Sequence, residues 1–257
     1  MKSRPLLSRE VVIEALVDAL RPLDFVDAFW EAGAESFGRV DEWSDIDAYV
    51  LVDDSAVENT FRTTEKVLNS LSGIRQKYDV GKTQWPGIYQ AFYRLDRASD
   101  YLLVDLAVMT MSCNERFMET EIHGEPIFYF NKSGVVRPCS VDRKAFDAKL
   151  KQRLRRVKAR FDMFGIFIQK AINRGDAVEA VDAYRGLVLD SLVEALRMKH
   201  YPLHYDFKTR YVHRELPSEV VNRLQDLYFV RDMNDLQTKY LRAVDWFRET
   251  VAEVEID

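Results

Sequence analysis

Two aspartates one residue apart, Asp45 and Asp47, lead into the apolar run Ala48-Tyr49-Val50-Leu51-Val52. Ile46, Ala48, Val50 and Val52 alternate with them, so on a strand of period two both acids point to one face. Adjacent like charges repel. The pair is most easily explained by a hard divalent cation such as Mg²⁺, which takes oxygen ligands, keeps several waters and sits between the acids and a nucleotide's phosphates. Upstream, Gly33 and Gly38 frame a tight turn where backbone can approach a ligand, and amides at a following helix start favour phosphate. A third acid, Asp105, interrupts the otherwise apolar segment Tyr101 to Met109. An isolated buried carboxylate is costly, so it should be paired, protonated or bound to metal, or hydrogen-bonded to a core backbone group.

The run Gly33-Ala-Glu-Ser-Phe-Gly-Arg-Val-Asp-Glu-Trp-Ser-Asp-Ile-Asp47 resembles the signature of the polymerase-β-like nucleotidyltransferase superfamily. There a Gly-Ser or Gly-Gly turn, a second glycine, and Ser-Asp-hydrophobic-Asp-hydrophobic follow at this spacing. Gly33, Gly38, Ser44, Asp45, Ile46 and Asp47 match position by position. Ala34 departs, standing where the family has Ser or Gly, and Ser36 is the candidate to replace that hydroxyl. The resemblance implies that Gly33, Ser36, Gly38, Arg39 and Ser44 bind a nucleoside triphosphate donor. Asp45 and Asp47 would hold two Mg²⁺ ions, with Asp105 binding the one that activates the acceptor. It further implies transfer of a nucleoside monophosphate, AMP from ATP being the expected case, to a hydroxyl of a small molecule with release of pyrophosphate. The rival expectation is a nonenzymatic nucleotide-binding or toxin-neutralising protein that keeps the fold; Ala34 supports it and retention of all three acids opposes it.

With 257 residues, 47% hydrophobic and 31% charged, the chain can bury a sizeable core, and its length favours two domains. A net charge of −5 argues against broad nonspecific binding to nucleic acid. Met1 to Pro5 begins basic but runs into an amphipathic stretch unlike a signal peptide, and no apolar run approaches a membrane span. Cys113 and Cys139 are too few for a disulfide framework or a zinc site, so the chain reads as cytoplasmic. Its oligomeric state is not readable.

The elements that must position the acids follow an α+β plan: a nucleotidyltransferase-like mixed sheet flanked by helices over 1–140, then an all-α helical bundle over 141–257. Helical periodicity marks Ser8 to Leu20, a strand Asp24 to Ala32, and a capping box at Ser55 to Glu58 opens a helix closing at Gly73. Strands are expected at Ile74 to Val80, Ile88 to Leu95 and Tyr101 to Met109. Lys82, Trp85 and Gln90 in the hairpin could touch a phosphate, stack on a base and read its edge, although a Trp beside Pro86-Gly87 more often packs the turn. From Asp142 one long amphipathic helix runs to Asn173, bearing a basic arc, and a second spans Asp176 to His200. On that second helix Asp182, one turn before Arg185 and Gly186, is the candidate general base, with Glu179, Asp190 and Glu194 on the same polar stripe as alternatives and a solvated face as the plain reading. Further helices are expected at Pro217 to Val230 and Asp232 to Val251. Arg197 and His204 overlap the loose Arg-His pattern of helical HEPN ribonucleases, but Pro202 lies between them and should end the helix, so the spacing reads as coincidence.

Overall fold

The computed structural model describes residues 6–256, so the basic start at Met1 to Pro5 lies outside the described residues. The fold is α+β and divides between Val141 and Asp142 into two compact units. In the first, the order is α1 (Arg9–Leu20), β1 (Val26–Glu31), α2 (Gly33–Ser36), β2 (Ile46–Val52), α3 (Val57–Leu71), β3 (Ile74–Lys82), β4 (Ile88–Leu95), β5 (Val104–Thr110), α4 (Thr120–His123) and β6 (Ile127–Asn131). Among the described residues, six strands make one mixed sheet in the order β3-β4-β5-β2-β1-β6. Only the central β2–β5 pair is parallel; β1 runs antiparallel to β2 and β6, and β4 to β3 and β5.

Alternation along the strands sorts residues between two cores. Ile46, Ala48, Val50 and Val52 of β2 and Val104, Leu106 and Val108 of β5 join Val12, Leu16 and Leu20 of α1 and Leu68 of α3. Leu51, Ala107 and Met109 turn the other way, onto a smaller core with Trp30, Met118 and Val136. By the same period Asp47 and Asp105 belong to this second face, away from α1 and α3.

Several local expectations change. Helix α3 begins after Ala56, which caps it without a side-chain bond, so the Ser55–Glu58 capping box does not form; the Thr60 hydroxyl binds the Ala56 carbonyl instead at 2.9 Å. Strand β6, a bulky Ile-Phe-Tyr-Phe run, is an addition to the expected set.

The second unit holds α5 (Arg143–Phe164), α6 (Ile166–Arg174), α7 (Ala177–Ala183), a π-helical segment (Tyr184–Leu189), α8 (Asp190–His200), a 3₁₀ turn (Pro202–His204), α9 (Val212–Glu215), α10 (Ser218–Tyr228) and α11 (Met233–Glu253). Asp142 caps α5 by accepting from the Ala145 amide at 3.0 Å. The expected single long helix is broken at Gly165, where α5 ends and α6 begins. Phe161 stacks on Phe247 with ring centres 3.8 Å apart, tying α5 to α11. Helix α8 stops at His200, before Pro202 as the sequence suggests. Among the described residues no helix is long and apolar enough to cross a membrane.

Candidate active site

In the parallel register, Asp47 of β2 pairs with Asp105 of β5, and flanking residues pair in step from Ile46 with Val104 to Val52 with Thr110. Neighbouring strands are about 4.8 Å apart, so two carboxylates stand abreast on one face. Both are half-buried. Gln90 of β4 donates its side-chain N–H to Asp105 Oδ1 at 2.7 Å. Gln90, expected to read a base edge, instead orients an acid.

Asp45 lies just before β2, half-buried, next to the start of β5. Burial first, then the charge of Asp47, push its carboxyl above the ordinary aspartate range, against a hydrogen bond from the Leu103 backbone and the positive charge of Arg9. Among the described residues no three His, Cys, Asp or Glu side chains stand close enough to form a metal cage. The expected triad is therefore assembled in part, as two acids abreast with Asp45 at their edge outside the strand. That donor set still fits Mg²⁺, which is commonly held by one or two carboxylates and completes its shell with waters and substrate phosphates.

Gly33 packs directly on this pair. Its φ of +60° is left-handed, and a Cβ there would come within 1.7 Å of Asp47 Oδ2, so a residue without a side chain is required. The following α2 is a single turn, too short to build a helix dipole, so the expected phosphate-binding helix start reduces to individual amides. Two of the nearest amides are already engaged: Gly38 N–H donates to Glu35 O and Arg39 N–H to Ala34 O, both at 2.9 Å. The Arg39 guanidinium lies over the Phe37 ring at 4.7 Å.

Ser36 corrects an expectation. Its hydroxyl is buried and lies 2.9 Å from Gly33 O and 2.7 Å from His123 O. A hydroxyl has one proton, and with two carbonyls competing for it none is left for a phosphate. Ser36 instead fastens the glycine turn to α4. Ser44 likewise works within its loop, donating to Asp41 Oδ1 and accepting from the Asp41 amide, each at 2.9 Å.

Arg9 is an addition to the expected site residues. From the first turn of α1 its guanidinium binds the Asp45 carbonyl, pairs with the buried Glu31 at the end of β1, and lies 3.7 Å from Glu35 of α2. Tyr129 of β6 donates to Glu31 at 2.8 Å. One cation thereby joins the strand entering the glycine turn to the residue opening the acidic strand. Asp182 belongs to the helical unit, where it is exposed on α7 beside Asp176 and Glu179.

Neither a protein-family model nor a curated protein matches the chain. Among solved structures, it is similar to an aminoglycoside 6-adenyltransferase from Bacillus subtilis, at 12% identity and a TM-score of 0.34, over 97% of this chain and 90% of that one. A likeness of that degree fixes neither a substrate nor a site.

Proposed function

We propose that the N-terminal unit is a Mg²⁺-dependent nucleotidyltransferase that moves a nucleoside monophosphate, AMP from ATP in the expected case, to a hydroxyl of a small molecule, with pyrophosphate leaving. The observation that supports this most is Asp47 and Asp105 abreast on adjacent parallel strands, with Gly33 pressed against Asp47 and Asp45 held in a disfavoured charge state.

Asp47 and Asp105 are the ligands this reading gives the cation, with Asp45 adding negative charge at the edge. When bound, Mg²⁺ supplies neutralisation of phosphate charge and a lowered pKa for the acceptor hydroxyl. Gln90 keeps Asp105 in one orientation, and Arg9 holds the Asp45 backbone against the end of β1. Gly33 leaves room for the Asp47 carboxylate, while Ser36 and Ser44 keep the two ends of the intervening loop in shape. In the helical unit, which we assign to the acceptor, Asp182 is the candidate to take the hydroxyl proton, and Asp182→Asn should then lower kcat by roughly 10²–10⁴-fold with ATP affinity little changed.

The test is pyrophosphate release when the full chain meets Mg²⁺, each nucleoside triphosphate and a panel of hydroxyl acceptors, followed by a search of cell extract for a metabolite that gains the mass of a nucleoside monophosphate. Release that requires an acceptor and disappears in Asp47→Asn supports the proposal. Tight MgATP binding with no transfer to any acceptor or extract component favours the nonenzymatic alternative.

A further inference from the structure

Three aromatic side chains form a row on the carboxylate side of the sheet. The His123 ring meets Phe117 edge to face at 5.4 Å, and Phe117 meets Trp85 edge to face at 5.3 Å. Phe117 packs on the second core, the one on the face of Asp47 and Asp105. One end of the row reaches the turn beside the acids. At one end, the His123 carbonyl takes the Ser36 hydroxyl at 2.7 Å, and Gly124 lies so close that a Cβ there would come within 2.5 Å of Ser36 O, in the same short turn as Gly33. At the other, Trp85 sits in the hairpin before β4, where the Gly87 carbonyl takes the Thr110 amide at the end of β5 away from Asp105.

Two features mark the row as more than packing. Trp85 is 40% exposed, so its ring can be reached from solvent. Phe117 is held at φ +53°, left-handed backbone that a bulky residue adopts only when its surroundings impose it. Backbone strain of this kind clusters at ligand clamps, where it fixes a side chain in advance.

Resting on the nucleotidyltransferase reading, we infer that the exposed Trp85 ring is the platform for the nucleobase of the donor nucleotide, with Phe117 meeting it edge to face and holding it in place, and the phosphates toward Asp47 and Asp105. Aromatic faces accept any base by stacking, and hydrogen-bond readout is a separate matter. The platform therefore supplies affinity for a nucleoside over bare phosphate and discriminates weakly among bases.

Calorimetric titration of the full chain with Mg²⁺-ATP and, separately, Mg²⁺-tripolyphosphate tests this. Trp85→Ala, at an exposed position, should weaken ATP by roughly tenfold, the order of one base stacked on a ring, and Phe117→Leu, which keeps apolar volume without a ring, should weaken it less. Both should leave tripolyphosphate within about twofold, and Trp85→Phe should restore most of the ATP affinity. Equal losses for both ligands, or no loss for ATP, would overturn the platform. Wild-type protein that binds tripolyphosphate as tightly as ATP would also overturn it while leaving the transferase reading standing. Wild-type protein that binds neither would remove both.

Discussion

Each unit contains a cluster of partly or fully buried charge, and the two are finished differently. In the helical unit Glu215 is 1% exposed and Arg197 and His204 are fully buried. Glu215 Oε2 accepts from Arg197 Nη1 at 2.7 Å, and its Oε1 lies 2.9 Å from His204 Nδ1. Arg197 also donates to the carbonyls of Lys208 and Arg210, and His204 stacks on Phe207 at 4.0 Å. Burial pushes the Glu215 carboxyl up, yet hydrogen bonds and charge from Arg197 and His204 outweigh it and hold the group below the ordinary glutamate range. In the sheet unit the balance is reversed: burial and Asp47 hold Asp45 above the ordinary aspartate range, and the nearby cation Arg9 reaches its carbonyl. One cluster is neutralised within the protein. The other keeps one carboxyl in a disfavoured charged form, which is where the proposed cation would act.

The largest effect expected from this contrast is on activity. Asp47→Asn and Asp105→Ala should each lower kcat/KM for nucleotidyl transfer by on the order of 10³-fold or more, because a lost cation ligand removes several kcal/mol of charge stabilisation. Asp105→Ala should weaken MgATP binding only in part, since Asp47 and Asp45 remain. Complete loss of binding in a calorimetric titration would show that Asp47, with Asp45 at its edge, does not hold the cation without Asp105.

The next largest belongs to the closed cluster. Glu215→Gln leaves the Arg197 charge buried without its counterion, so chemical denaturation should show the helical unit destabilised by about 3–5 kcal/mol. Because folding lowers the Glu215 pKa, its stabilising contribution is present above the ordinary glutamate range and is lost as pH falls through that range toward the depressed value. A wild-type unfolding midpoint that holds steady through mildly acidic pH, with Glu215→Gln matching it throughout, would show that the cluster is not neutralised as described.

Gly33 and Gly38 give a sharper comparison, since both have left-handed φ, at +60° and +61°, and differ in what faces them. An alanine at either costs about 1–2 kcal/mol of left-handed strain. Only at Gly33 does the new methyl collide with Asp47; at Gly38 nothing lies within 4 Å. Gly33→Ala should therefore lose at least tenfold in Mg²⁺-dependent activity, read with the tenfold-per-1.4 kcal/mol scale, while Gly38→Ala loses stability alone. Equal activities would detach Gly33 from the site.

These contrasts also separate what the sequence disclosed from what it hid. Period-two alternation disclosed that Ile46, Ala48, Val50 and Val52 would be core and that Asp47 would face away from them, and the apolar context of Asp105 singled it out. Contacts between distant segments were hidden. Arg9 reaches a carbonyl 36 residues away, and nothing in its helix differs from an ordinary solvated arginine. Ser36 looked like a phosphate donor because hydroxyl chemistry is visible in sequence while competition from His123 O, 87 residues on, is not. Pro202 ends the helix that carries Arg197 before His204 is reached, so their spacing along the chain says nothing of their contact. The chain then turns back, and α9 brings Glu215 between them, which no local spacing encodes.

The smallest effect is the most diagnostic of sign. A carboxyl whose pKa is raised by folding contributes stability that is fully present below the unfolded pKa and is lost as pH rises through the folded one, the reverse of Glu215. At neutral pH and without divalent cations, Asp45 therefore carries a folding cost, tempered by solvent because the group is only half-buried. Asp45→Asn removes that charge and its repulsion with Asp47, so its thermal midpoint should equal or exceed wild type by about 1–3 °C, the shift expected for under about 1 kcal/mol in a chain of this size. Adding Mg²⁺ should raise the wild-type midpoint more than that of Asp45→Asn, and the difference should shrink on acidification toward the raised Asp45 pKa, where the carboxyl is protonated. A variant that unfolds more easily than wild type without Mg²⁺ would make Asp45 a structural acid like Glu215, and the distinction between the two clusters would fail.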